Sequence, residues 1–132
     1  MSDAASRLIY VLDDNQVMCS LICMHLQNAG YRVQGFVDAV EGGKALMASP
    51  PDLLVLDIAM PYLDGLELLS AMRTDDKTRH IPTIMVTART DSDAELAAKA
   101  AGALRYLTKP LQRQQLLDAV REVLAGEIPA AQ

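Results

Sequence analysis

The stretch DLLVLDIAMPYLDG, residues 52–65, decides how this chain folds. Its four consecutive apolar residues, Leu53 to Leu56, are too few for a helix and too uniformly apolar for a strand with one wet face. Such a run suits a parallel strand covered on both sides. It leads straight into an aspartate, Asp57, and a buried carboxylate without a partner is expensive. The reading is therefore a central strand whose carboxyl end carries a charge that does something.

On both sides of this stretch the alternation of strand-like and helix-like segments repeats. Upstream, RLIYVLDD (7–14) is a short apolar run ending in acids, and NQVMCSLICMHLQNAG (15–30) has the length of a helix and stops at a glycine. YRVQGFV (31–37) alternates like a strand, and DAVEGGKALMASPP (38–51) reads as a helix ended by two prolines and weakened by Gly42 and Gly43. Downstream come a helix in GLELLSAMRTD (65–75), a strand in IPTIMVTA (81–88), an acid-capped, alanine-rich helix in DSDAELAAKAAGA (91–103), a strand in LRYLTKP (104–110) and an amphipathic helix in LQRQQLLDAVREVLAG (111–126). Five strand–helix units predict an α/β fold, a parallel sheet with helices on both faces and right-handed crossovers.

The whole chain agrees. Its 132 residues make one domain, and with 51% hydrophobic and 22% charged residues it can build a core. A net charge of −5 argues against direct nucleic-acid binding, and no apolar run approaches a membrane span. The start, MSDAASR, lacks the apolar segment of a signal peptide. Two cysteines, Cys19 and Cys23, have no second pair to complete a zinc site, are expected to pack, and fit a reducing cytoplasm. His25 is expected beside the core and His80 in a loop. The domain is expected to span 1–125, with 126–132 a tail or the start of a linker.

Ligand sites in open α/β sheets lie beyond the carboxyl ends of the strands. Here those ends carry Asp13 and Asp14, Asp57, Thr87 and Lys109. Singly, each has a plain structural role: a helix cap, a turn residue, a strand former, a solvated amine. Together they put three carboxylates, a hydroxyl and an amine at one sheet edge. Clustered carboxylates repel unless a cation joins them, and Mg²⁺ is the usual intracellular choice. Asp57 then becomes an ionised nucleophile suited to phosphoryl transfer, with Lys109 and Thr87 each able to take a phosphoryl oxygen.

These residues resemble the receiver domain of two-component response regulators. The likeness rests on Asp13-Asp14, on Asp57, on Met60-Pro61 with Asp64-Gly65, on Thr87-Ala88, and on Tyr106 with Lys109-Pro110, and runs from about Leu8 to Leu124. It implies a flavodoxin-like (βα)5 fold and a phospho-switch rather than an enzyme. It implies phosphorylation of Asp57 by a histidine kinase or histidine phosphotransfer protein. Mg²⁺ would be held by Asp14, Asp57 and the backbone carbonyl of Ala59, with Asp13 acting largely through water. Thr87 and Tyr106 are the implied switch residues, read out through the fourth helix, fifth strand and fifth helix to an output domain, a separate protein or a second copy. A cis peptide at Lys109-Pro110 is expected. The competing reading is a haloacid-dehalogenase-like phosphotransferase, but that class places a second aspartate two residues after the nucleophile, where this chain has Ala59, which cannot transfer a proton. A flavin binder would need a phosphate-binding loop where LDDNQ (12–16) is acidic.

Overall fold

The computed structural model describes residues 6–60 and 64–126. Strands β1 (Leu8–Leu12), β2 (Arg32–Phe36), β3 (Leu53–Leu56), β4 (Thr83–Thr87) and β5 (Arg105–Thr108) alternate with helices α1 (Gln16–Asn28), α2 (Ala39–Ala48), α3 (Gly65–Arg73), α4 (Ser92–Ala100) and α5 (Arg113–Leu124). All strand pairs are parallel, in the order β2-β1-β3-β4-β5. This is the parallel α/β sheet that the alternation predicts and the flavodoxin-like (βα)5 fold that the resemblance implies. The apolar run Leu53–Leu56 is β3, and all four of its residues are buried.

Successive side chains of a strand point to opposite faces, so each inner strand feeds two cores. On one face Ile9, Val11, Leu53, Val55, Ile84 and Val86 pack under α1 and α5 through Ile22, Leu26, Leu116 and Val120. On the other, Tyr10, Leu12, Leu54, Leu56 and Met85 pack under α2, α3 and α4 through Leu46, Leu69, Met72, Ala94 and Ala98. Edge strand β2 has only exposed and half-buried residues. The chain leaves β1 toward β2 on one side and returns to β3 on the other, which opens a crevice between the carboxyl ends of β1 and β3.

The helices start and stop on local chemistry. Asn15, Asp38, Asp64 and Asp91 cap α1 to α4, each accepting a backbone N–H of the first turn. Gly30, with φ of 102°, takes the left-handed conformation that ends α1. No helix among the described residues is long and apolar enough to cross a membrane.

Candidate functional site

Asp13 and Asp57 are the first residues after β1 and β3. Their backbones are pinned as the ladder ends: Asp13 N–H donates to Phe36 O and Asp57 N–H to Leu12 O, both at 3.0 Å. Asp13 is 1% and Asp57 5% exposed, whereas Asp14 faces solvent. The three acids can bring carboxylate oxygens within 4.8 Å of one another. The capping role belongs to Asn15: its side chain accepts from Met18 N–H at 2.9 Å, while its own N–H donates to Asp13 Oδ1 at 2.9 Å. An asparagine just before the periodic apolar residues was the sequence signal for this cap. With Asn15 in that role, neither acid is needed to cap α1.

Lys109 comes from just beyond β5. Its N–H donates to Thr87 O at 2.8 Å, and the Lys109-Pro110 peptide is cis, as expected. The ammonium Nζ lies 2.9 Å from Asp13 Oδ2 and 3.1 Å from Asp57 Oδ2. Burial pulls the ammonium toward neutrality, but its bonds to the two carboxylates outweigh this and raise its pKa above 10.5. Burial lifts the Asp13 carboxyl above the usual value of 3.8, against the hydrogen bonds from Lys109 and Asn15 and in concert with the Asp57 charge. Three carboxyl groups and one ammonium meet here, a formal surplus of two negative charges. That surplus and the all-oxygen donor set suit a hard divalent cation.

Around this centre the backbone is close-packed. Asp57 Oδ1 accepts from Ala59 N–H at 3.3 Å, and Gly65 N–H donates to Ile58 O at 2.7 Å. A Cβ on Gly65 would overlap the Asp57 carbonyl oxygen and lie 2.8 Å from Ile58 Cα. The glycine thus lets α3 start directly against the end of β3. Ala59 is exposed and Met60 half-buried, and Pro61 of the quoted stretch lies outside the described residues.

Thr87, fully buried at the end of β4, accepts from Arg89 N–H at 3.3 Å. Half-buried Tyr106 donates its hydroxyl to Arg89 O at 3.0 Å. The Arg89 guanidinium forms two bonds to Asp91, of 3.1 and 3.0 Å, and Asp91 also caps α4. Residue 89 therefore links Thr87, Tyr106 and the start of α4. His25 is half-buried and His80 exposed, and neither joins the cluster.

Sequence comparison settles the family. Residues 9–121 match the response regulator receiver domain. The chain belongs to that family. It is 34% identical over 125 residues to the DNA-binding dual master transcriptional regulator RpaA of Synechocystis, covering 93% of this chain and 52% of RpaA. It is 36% identical over 118 residues to the transcriptional regulatory protein PrrA of Mycobacterium tuberculosis, covering 89% of this chain and 49% of PrrA. The receiver chain thus spans about half the length of these curated relatives. Among solved structures it resembles a putative response regulator from Chloroflexus aurantiacus, with a TM-score of 0.85 and 31% identity over 90% of this chain and 98% of the other. It also resembles a CheY-like receiver domain protein from Methanospirillum hungatei, with a TM-score of 0.85 and 26% identity over 92% of this chain and 95% of the other.

Proposed function

We propose that this receiver is a phospho-switch that accepts a phosphoryl group on Asp57 from a histidine kinase or histidine phosphotransfer protein. The observation that carries the proposal is the Asp57 carboxylate itself: 5% exposed, at the end of a core strand, gripped by Lys109 and bordered by two more acids. A carboxylate oxygen attacks phosphorus as the bond to the donor imidazole breaks. Positioning and charge neutralisation are most of what the transfer demands. Asp14, Asp57 and the Ala59 carbonyl, with Asp13 through water, would hold Mg²⁺, which when bound supplies neutralising charge for the phosphoryl oxygens. The Lys109 ammonium, already beside Asp57, follows the charge onto one of those oxygens. Thr87 exchanges the Arg89 N–H for a phosphoryl oxygen as its partner. Tyr106 then leaves Arg89 O and turns inward, so one new charge biases a hydroxyl, a ring and the start of α4 together.

The surface remodelled by this exchange is α4-β5-α5, read by an output domain, a separate downstream protein or a second copy on phosphorylation. The phosphodonor is expected to dock on α1. Its exposed apolar residues Val17, Leu21 and Met24, at 77%, 37% and 45% exposure, recur at helical spacing next to Asp14. In this reading residues 1–125 form the receiver and 126–132 a tail or linker, of which 127–132 lie outside the described residues. The module works in the cytoplasm as a switch, acting on its own phosphorylation state and on no other substrate.

Incubation with acetyl phosphate and Mg²⁺ should add the mass of one phosphoryl group, and Asp57→Asn should remove that capacity. Undiminished labelling of Asp57→Asn would sink the proposal. Beryllofluoride with Mg²⁺ should shift amide resonances around Thr87, Tyr106 and α4 while leaving the middle of α2 quiet. Shifts confined to the acids would refute the switching route.

A further inference from the structure

Cys19 and Cys23 lie one turn apart on α1, and neither takes part in the receiver chemistry above. Opposite them, β2 carries Gly35. A Cβ on that glycine would stand 2.9 Å from Cys19 Sγ and 2.8 Å from Cys23 Sγ. Both sulfurs therefore converge on one point and occupy the volume that a side chain at 35 would fill. Cys19 is 4% exposed, Cys23 is half-buried and Gly35 is exposed on the edge strand, so the pair has a closed side and a side open to solvent. Cys19 Sγ also lies 3.9 Å from Val11 O and 3.8 Å from Phe36 O.

We infer that Cys19 and Cys23 form a two-thiolate site for a soft, thiophilic cation of low coordination number, of the copper(I) class. Sulfur ligands select soft ions over hard ones. A tetrahedral zinc site would call for four ligands, and among the described residues the only group of three or more potential metal-ligating side chains is Asp13, Asp14 and Asp57. A disulfide suits the pair less well. Residues four apart on a helix hold their β-carbons about 5–6 Å apart, against roughly 3.5–4.5 Å in a disulfide. Converging sulfurs on separated β-carbons favour an atom held between them. On binding, each thiol forms one metal–sulfur bond and releases its proton to solvent.

The test is an anaerobic titration of the whole chain with copper(I) against a competing chelator, read by native mass spectrometry and by near-ultraviolet thiolate-to-metal absorption. One copper(I) per chain is expected. Cys19→Ser and Cys23→Ser should each weaken binding by about tenfold or more, and Gly35→Ala, which keeps both thiols but fills the space they share, by about tenfold. Circular dichroism establishes that each variant is folded. Affinity unchanged in either serine variant, or in Gly35→Ala, overturns the site, as does a native chain that retains no copper.

Discussion

At the scale of single residues, Lys109 does the work that the opening stretch demanded. Asp57 can end a buried strand because an ammonium with 16% side-chain exposure bridges it to Asp13. Removing one partner of such a group leaves uncompensated charge, so metal-free Lys109→Met should lose about 2–4 kcal/mol, read by urea denaturation. The pH dependence follows from the raised ammonium pKa. Its contribution is complete below the unfolded value near 10.5 and is lost as pH rises through the higher folded value. The stability gap between native chain and variant should therefore stay flat from neutral pH to about 10 and close only above that. A gap that closes near neutrality would contradict the assignment. Much of this was legible in the chain because strand ends converge by topology alone. Two features were not. The exposure of Asp14 beside its buried neighbours depends on how the β1–α1 turn is wound. The grip of Arg73 depends on how the 79–83 segment and Gly102 fold back around it. Its guanidinium donates to Ile81 O at 3.0 Å, Arg79 O at 3.2 Å, Gly102 O at 3.3 Å and Thr83 Oγ1 at 3.4 Å, and burial lowers its pKa. No spacing rule joins those partners. Arg73→Met should cost about 1–3 kcal/mol in denaturant unfolding, since it strips charged donors from partly buried carbonyls.

At the scale of elements, α2 separates propensity from packing. Both Gly42 and Gly43 were read as weakening this helix, and the structure distinguishes them. A Cβ at Gly43 meets nothing within 4 Å, while one at Gly42 would press within 3.0 and 3.1 Å of the methyls of buried Leu12. Gly43→Ala should therefore stabilise by about 0.5–1 kcal/mol through helix propensity alone. Gly42→Ala should fall short of that gain and drop below the native chain, because a well-packed core resists an added methyl. Equal gains from the two, measured by urea denaturation, would show that Leu12 relaxes freely. Helix α4 rests on small contacts: Ala94 and Ala98 are its buried residues, and Leu96 is 64% exposed. Little apolar area holds it, which suits an element whose first turn is tied through Asp91 to Arg89. The amphipathic pattern of α5 was legible down to Leu116, Val120 and Val123, all buried, because its apolar residues recur at helical spacing over three turns.

At the scale of the molecule, charge and fold meet at one place. The chain is acidic overall, with net charge −5, and three of its acids meet in the crevice between β1 and β3, where Asp13 and Asp14 come from one strand end and Asp57 from another. Asp57 meets the other two acids only when the sheet is formed, so a cation that joins all three binds the native state and stabilises it by mass action. The melting temperature should rise with Mg²⁺, by the equivalent of about 2.7 kcal/mol when free Mg²⁺ is a hundredfold above its dissociation constant. Sodium chloride at matched ionic strength should not reproduce the rise, since screening acts on exposed charges and much less on two carboxylates buried to this degree. Asp14→Asn removes the exposed acid without touching the Lys109 bridge. It should leave the metal-free chain as stable as before or slightly more so, because one repulsion is gone, and should flatten the Mg²⁺ response. A response equal in Asp14→Asn and the native chain, or one matched by sodium, would place the cation elsewhere. It would also leave the surplus charge of this crevice without the partner that its geometry calls for.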